Sequence, residues 1–179
     1  IRTIPLGEQP RRICHQKATH TFGVCTVSTD YESNKEDNEV NFVRLIDDQT
    51  FETHAKFQLD FYEHACSIMS MTFEKDENHF YYLVGTAYAP PDEVEPTRGR
   101  ILVFSVKNSN GNVSLDLVHS KEVKGAVYNL NPFNGKLLAG VNSKIQIYRW
   151  QQREEGSWEL VNECSHHNHI LALYVESRG

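Results

Sequence analysis

One phrase recurs three times along this chain: an apolar run that reaches a glycine, a loop or turn, and then a second apolar run. Phe22-Gly23-Val24-Cys25 leads to Asn41-Phe42-Val43-Arg44-Leu45-Ile46. Leu83-Val84-Gly85-Thr86 leads to Gly99-Arg100-Ile101-Leu102-Val103-Phe104, and Leu137-Leu138-Ala139-Gly140 leads to Lys144-Ile145-Gln146-Ile147-Tyr148. Gly23 and Gly85 stand 62 positions apart, and Gly85 and Gly140 stand 55 apart. Repeats of roughly 40–50 residues characterise propeller blades, and polar loops hold the excess here. Between the repeats the chain is built of short β-branched and aromatic runs bounded by Gly, Asn, Asp and Pro, with no helical periodicity. Thirteen strands are expected: residues 12–16, 22–28, 41–47, 53–59, 67–73, 80–87, 100–106, 115–123, 126–132, 136–141, 144–150, 158–164 and 170–176. An all-β chain of this kind forms a sandwich, a barrel or a propeller, and the repetition selects a propeller of four-stranded, WD40-like blades. The blades fall at about residues 11–63, 64–124 and 125–166, with a fourth beginning over 167–179.

Two polar stretches interrupt the pattern. Residues 29–40 are polar enough to stay disordered. Residues 89–98 (Ala-Pro-Pro-Asp-Glu-Val-Glu-Pro-Thr-Arg) carry three prolines in ten positions, so this loop holds a shape while exposing Glu93 and Glu95. A stiff loop loses less entropy on docking than a floppy one, which makes it a candidate contact surface.

A net charge of −6, from 24 acidic and 18 basic residues, argues against a surface that grips a phosphate backbone unaided. No apolar run approaches the roughly 18 residues that span a membrane. The opening residues lack the apolar core of a signal peptide and a starting Met, so the chain reads as an interior piece of something longer. Its four cysteines are scattered, and each sits in or beside an apolar run. They are expected to be reduced thiols of an intracellular protein.

Catalytic groupings are not evident. Cys164-Ser165-His166-His167-Asn168-His169 offers zinc-ligand types without the second couple that structural zinc sites use, so a turn with solvated histidines is expected and no metal. Asp47-Asp48 and Glu154-Glu155 are adjacent, and neighbouring side chains on a strand point to opposite faces, which makes a shared acid–base site a poor reading. There is no GxSxG, P-loop or HExxH motif, and no cofactor or catalytic residue is expected. Lys124-Gly125-Ala126-Val127-Tyr128-Asn129-Leu130 sets small residues beside an aromatic ring that can pack and hydrogen-bond, as interface anchors do, although a core strand explains it equally well. The same holds for Leu171, Leu173 and Tyr174.

Several strings carry a specific resemblance: Pro10-Arg11-Arg12-Ile13-Cys14, Val84-Gly85-Thr86-Ala87, Glu122-Val123-Lys124-Gly125-Ala126-Val127-Tyr128 and Phe133-Asn134-Gly135-Lys136-Leu137-Leu138-Ala139. Through them the chain resembles the damaged-DNA-binding protein 1 family, nearly end to end. Members of that family are large subunits of the UV-damaged DNA-binding complex and adaptors of cullin-4 ubiquitin ligases. The resemblance implies three seven-bladed propellers, of which this stretch opens the third, and a helical C-terminal domain. It implies that cullin-4 binds another propeller, and that substrate receptors, including the damage-recognising small subunit, enter a cleft between the first and third. Damaged DNA is then reached only indirectly, in the nucleus and also the cytoplasm. Carried over by motif, the cleft-facing positions are Ala87, Val94, Ala126, Tyr128, Asn129, Leu171, Leu173 and Tyr174, with Glu93 and Glu95 on the rim. Asn129 stands where a Ser is usual and Leu171 where a Met is usual, which is expected to adjust which receptor fits. Large subunits of the cleavage/polyadenylation factor and of the splicing factor 3b complex share the architecture and remain the alternative. The Glu122–Tyr128 string speaks against them.

Overall fold

A computed structural model describes residue 3, residues 5–29 and residues 39–167. Twelve strands are present: β1 (Gln9–Gln16), β2 (Thr21–Thr29), β3 (Glu39–Asp47), β4 (Thr53–Gln58), β5 (Glu63–Phe73), β6 (Asp76–Tyr88), β7 (Gly99–Ser109), β8 (Asn112–Val123), β9 (Val127–Phe133), β10 (Lys136–Val141), β11 (Lys144–Gln152) and β12 (Trp158–His167). One 3₁₀ turn, Lys17–Thr19, is the only helical element among the described residues. The strands form three antiparallel four-stranded sheets, β1–β4, β5–β8 and β9–β12, each a meander in chain order. This is the all-β, propeller-blade architecture that the repeats specify. The thirteenth expected strand, 170–176, lies outside the described residues, as do 30–38 and the fourth blade beyond His167.

Alternation along the strands explains how the sheets stack. In β6, Tyr81 and Leu83 face the third sheet, while Tyr82 and Val84 face the first. In β7, Ile101 and Val103 take the former side, and Leu102 and Phe104 the latter. β6 and β7 are therefore buried on both faces, which is why residues 81–84 and 101–104 are continuous apolar runs rather than alternating ones. One core joins the middle sheet to the first through Cys25, Val43 and Leu45; the other joins it to the third through Val127, Leu137, Tyr148, Trp150 and Leu160. Each such buried side chain contributes about 1.5–3 kcal/mol. The second core is aromatic at its outer end, where Trp150 stacks on Phe73 at 5.1 Å and on Trp158 at 5.9 Å. The Trp150 indole donates to Asp76 at 3.1 Å, and Asp76 also accepts from Tyr81 and pairs with His79. Burial alone would raise the Asp76 pKa, but these bonds together hold it below the ordinary value.

First strands meet first strands, β1 on β5 and β5 on β9, while last strands meet last strands, β4 on β8 and β8 on β12. The repeated glycines mark the inner contact. A Cβ on Gly23 would come within 2.9 Å of Ile68 and Tyr82, and one on Gly85 within 2.5 Å of Val127. At Gly23 and Gly85 a side chain would collide with the next sheet.

The strand starts differ most from expectation at two places. β5 begins at Glu63 rather than Ser67, and β6 at Asp76 rather than Phe80. Both added stretches open on a buried carboxylate that the fold supplies with donors, so neither behaves as a solvated turn. The β7–β8 and β9–β10 hairpins follow sequence directly: Asn110-Gly111 and Asn134-Gly135 have positive φ at both positions, as two-residue turns matched to strand twist require.

Candidate functional site

Meander topology sends alternate connections to opposite ends of the sheets. The β4–β5, β6–β7, β8–β9 and β10–β11 connections therefore share one face, and most of the candidate contact residues lie on it. The β6–β7 loop, residues 89–98, is held at both ends. Tyr88 N–H donates to the Arg98 carbonyl at 2.9 Å and Ala89 N–H to the Tyr62 carbonyl at 2.9 Å. Glu93 N–H donates to the Pro90 carbonyl at 3.1 Å, closing a turn inside the loop. Asn142, in the β10–β11 turn, ties the loop to the third sheet. Its Nδ2 donates to the Pro96 carbonyl at 3.1 Å while its Oδ1 accepts from Ala126 N–H at 2.8 Å. Prolines restrict the backbone, and these bonds fix what freedom remains.

Beneath the loop lies a buried polar cluster. Glu63 is 0% exposed and takes a bidentate pair from Arg100, at 2.7 Å from Nε and 2.6 Å from Nη2. Glu63 also accepts from the Thr86 hydroxyl at 2.6 Å and from Asp60 N–H at 2.9 Å. Arg100 Nη2 lies 3.5 Å from Asp60, whose carboxylate accepts from the Tyr88 hydroxyl at 2.6 Å. Hydrogen bonding to Glu63 raises the Arg100 pKa despite burial; burial and then the Asp60 contact raise that of Tyr88. At the loop's end, Arg98 Nε donates to Glu122 at 2.5 Å, and its guanidinium sits 4.3 Å above the Tyr88 ring. Gly99 follows in a slot between strands, where a Cβ would meet the Gly125 and Thr86 carbonyls at 2.3 Å.

The residues assigned from sequence take different places on this face. Tyr128, on β9, is 49% exposed, and Asn129 beside it is half-buried. Val94, Glu93 and Glu95 are fully on the surface of the loop. Ala87 and Ala126 are buried. Leu171, Leu173 and Tyr174 lie outside the described residues. The structure adds residues that the sequence did not single out. Phe61 and Tyr62, in the β4–β5 turn, are 63% and 38% exposed with ring centroids 4.2 Å apart. The signal was an aromatic pair between two strands, at a position where a core role is not needed.

Groupings set aside on sequence are accounted for locally. Asp47 accepts N–H groups from Thr50 and Gln49, which bring its pKa down to about 2, and Asp48 pairs with His15 at 2.9 Å. Both serve the β3–β4 turn. Cys14, Cys25 and Cys66 are free thiols, and burial pushes Cys25 up to about 12, away from nucleophilic use. Among the described residues no group of His, Cys, Asp and Glu has metal-binding geometry. Cys164 to His167, expected in a turn, instead continue β12 in register along β11, with Cys164 opposite Ile147; Asn168 and His169 lie outside the described residues.

Stacked four-stranded sheets with a rigid, partly apolar loop face define a segment of a β-propeller, and the chain belongs to the family described as the CPSF A subunit region, whose profile matches residues 40–179. It is 58% identical over all 179 residues to DNA damage-binding protein 1a of Arabidopsis thaliana. It is 56% identical, again over its full length, to DNA damage-binding protein 1 of Oryza sativa subsp. japonica, and 57% over 180 aligned positions to that of Solanum lycopersicum. The chain spans 16% of the length of each of these relatives. Their shared name agrees with the resemblance carried by the Glu122–Tyr128 and Phe133–Ala139 strings.

Proposed function

We propose that this chain is one wall of a receptor-docking surface in a cullin-4 ubiquitin ligase adaptor, a scaffold and not an enzyme. Through the receptors it recruits, it serves recognition and excision repair of UV-damaged DNA. The observation that carries this reading is identity of 54–58% along the whole chain to proteins named DNA damage-binding protein 1. The loop face supports it physically. Tyr128 stands exposed two residues after Ala126, whose N–H is held by the same Asn142 that ties down the loop, and a prefixed surface with an aromatic anchor suits an amphipathic helix of a partner. Cullin-4 binds elsewhere in the whole protein, damaged DNA is contacted through the small subunit, and the protein works in the nucleus and the cytoplasm. A role in RNA processing is the second reading, favoured by the family's description as a CPSF A subunit region.

The test is co-purification of a substrate receptor with the full-length protein carrying Tyr128→Ala. A side chain that exposed contributes little to folding, so the variant should remain folded while receptor capture falls at least tenfold. Undiminished capture by a folded variant removes Tyr128 from the docking surface.

A further inference from the structure

Between the β4–β5 turn and the β6–β7 loop lies an open cup of about 480 Å³, walled by Phe61, Tyr62 and Tyr88, with Asp60, Glu93 and Arg98 at its rim. Its aromatic floor is held in place rather than left to fluctuate. Tyr62 has φ of +61°, a conformation that costs a non-glycine residue roughly 1–2 kcal/mol and persists only where the surroundings enforce it. The enforcement is visible in three bonds: Glu63 N–H to the Asp60 carbonyl at 3.0 Å, Asp60 N–H to the Glu63 carboxylate at 2.9 Å, and Ala89 N–H to the Tyr62 carbonyl at 2.9 Å. Glu63 is in turn clamped by Arg100. Two exposed aromatic rings are thus presented at fixed positions, outside either core.

The charge lining the cup selects its occupant. Asp60 and Glu93 supply two carboxylates against the guanidinium of Arg98, with Arg100 behind the wall at 3.5 Å from Asp60. Both arginines are already committed, Arg98 to Glu122 and Arg100 to Glu63. Arg98 also shows the packing that the site favours, a guanidinium flat over a tyrosine ring with a carboxylate in reach of its N–H groups. A planar cation stacks on aromatic faces and bonds carboxylates in a fork, which a lysine ammonium does less well.

We propose that this cup takes an arginine side chain presented by a protein that docks on the loop face, its guanidinium stacked on Phe61 and Tyr62 and bonded to Glu93 or Asp60. The proposal rests on the docking reading above and names the chemistry of one contact within it. An arginine flanking an apolar helix would then fix the helix's direction and register on the face.

The test uses N-acetyl-arginine methylamide and its neutral isostere N-acetyl-citrulline methylamide as probes, observed by saturation-transfer NMR with the full-length protein. Saturation should reach the arginine methylenes, fall at least fivefold in Phe61→Ala and in Glu93→Gln, and be absent for citrulline. Equal signals for the two probes, or signals unchanged in both variants, overturn the proposal. Tyr128→Ala separates the two readings, because Tyr128 does not line the cup. If that variant loses receptor while arginine never binds, the cup alone is wrong; if arginine binds as proposed while the variant keeps its receptor, the docking assignment of Tyr128 alone is wrong.

Discussion

Replacing Glu63 with Ala removes one partner of a buried ion pair. Glu63 is 0% exposed and the Arg100 side chain 16%, so the guanidinium left behind is largely desolvated. Breaking such a pair costs about 3–5 kcal/mol. The Thr86 hydroxyl and Asp60 N–H also lose their acceptor, which adds to the cost. Asp60 stands 3.5 Å from Arg100 and can take over part of the charge, which places the net loss near the lower figure, about 3 kcal/mol. Because each 1.4 kcal/mol is a factor of ten, local opening becomes about 100-fold more frequent. Hydrogen exchange of the full-length protein reads this directly, as about 100-fold faster exchange in peptides covering β5, the end of β6 and the start of β7, with β10 and β11 unaffected. Glu63→Gln keeps an acceptor for Thr86 and Asp60 while losing the charge, and should cost about 1–2 kcal/mol, roughly tenfold in rate. Exchange accelerated less than threefold by Glu63→Ala would refute the view that this pair holds the loop face.

Gly99→Ala places a methyl group 2.3 Å from two backbone carbonyls, neither of which can move aside as a side chain would. Overpacking of this kind costs about 1–3 kcal/mol, and receptor capture should fall with faster exchange in residues 88–98 and 124–127. His119 on β8 is half-buried with an unbonded Nε2 and a ring edge-on to Trp150 at 6.0 Å. Burial first, and then Arg153 and Lys121, lower its pKa, with Glu159 opposing them. The neutral form is therefore favoured when folded, so its contribution is intact above pH about 6.5 and is lost as pH falls below it. Protection factors in β8 and β12, corrected for the slower intrinsic exchange at low pH, should fall between pH 6.5 and 5 in the native protein, and the fall should be smaller in His119→Phe; an unchanged fall would rule out His119 as its source.

How far the sequence could be read follows from which forces act locally. The twelve described strands were legible because short β-branched and aromatic runs bounded by turn residues are properties of neighbouring residues. The repeat glycines were legible too, and the structure gives the reason, a close approach of successive sheets at Gly23 and Gly85. The starts of β5 and β6 were not, because Glu63 and Asp76 read as solvated until Arg100 and Trp150 are brought to them from 37 and 74 residues away. The rigidity of residues 89–98 was foreseeable from prolines, but its anchor on Asn142 was not, since a lone turn asparagine carries no sign of its distant partner. Phe61 and Tyr62 escaped notice because aromatic residues beside strands are ordinarily core.

The central claim is that the end of the sheets carrying Phe61, Glu93 and Tyr128 is the docking face. Hydroxyl-radical footprinting of the full-length protein, alone and with a bound substrate receptor, tests it most directly. Protection should appear at Phe61, Tyr62, Val94 and Tyr128, and be absent from Phe80 and Phe133 on the other side of the molecule. Protection confined to Phe80 and Phe133, with residues 61–62, 94 and 128 as reactive as in the free protein, would contradict it.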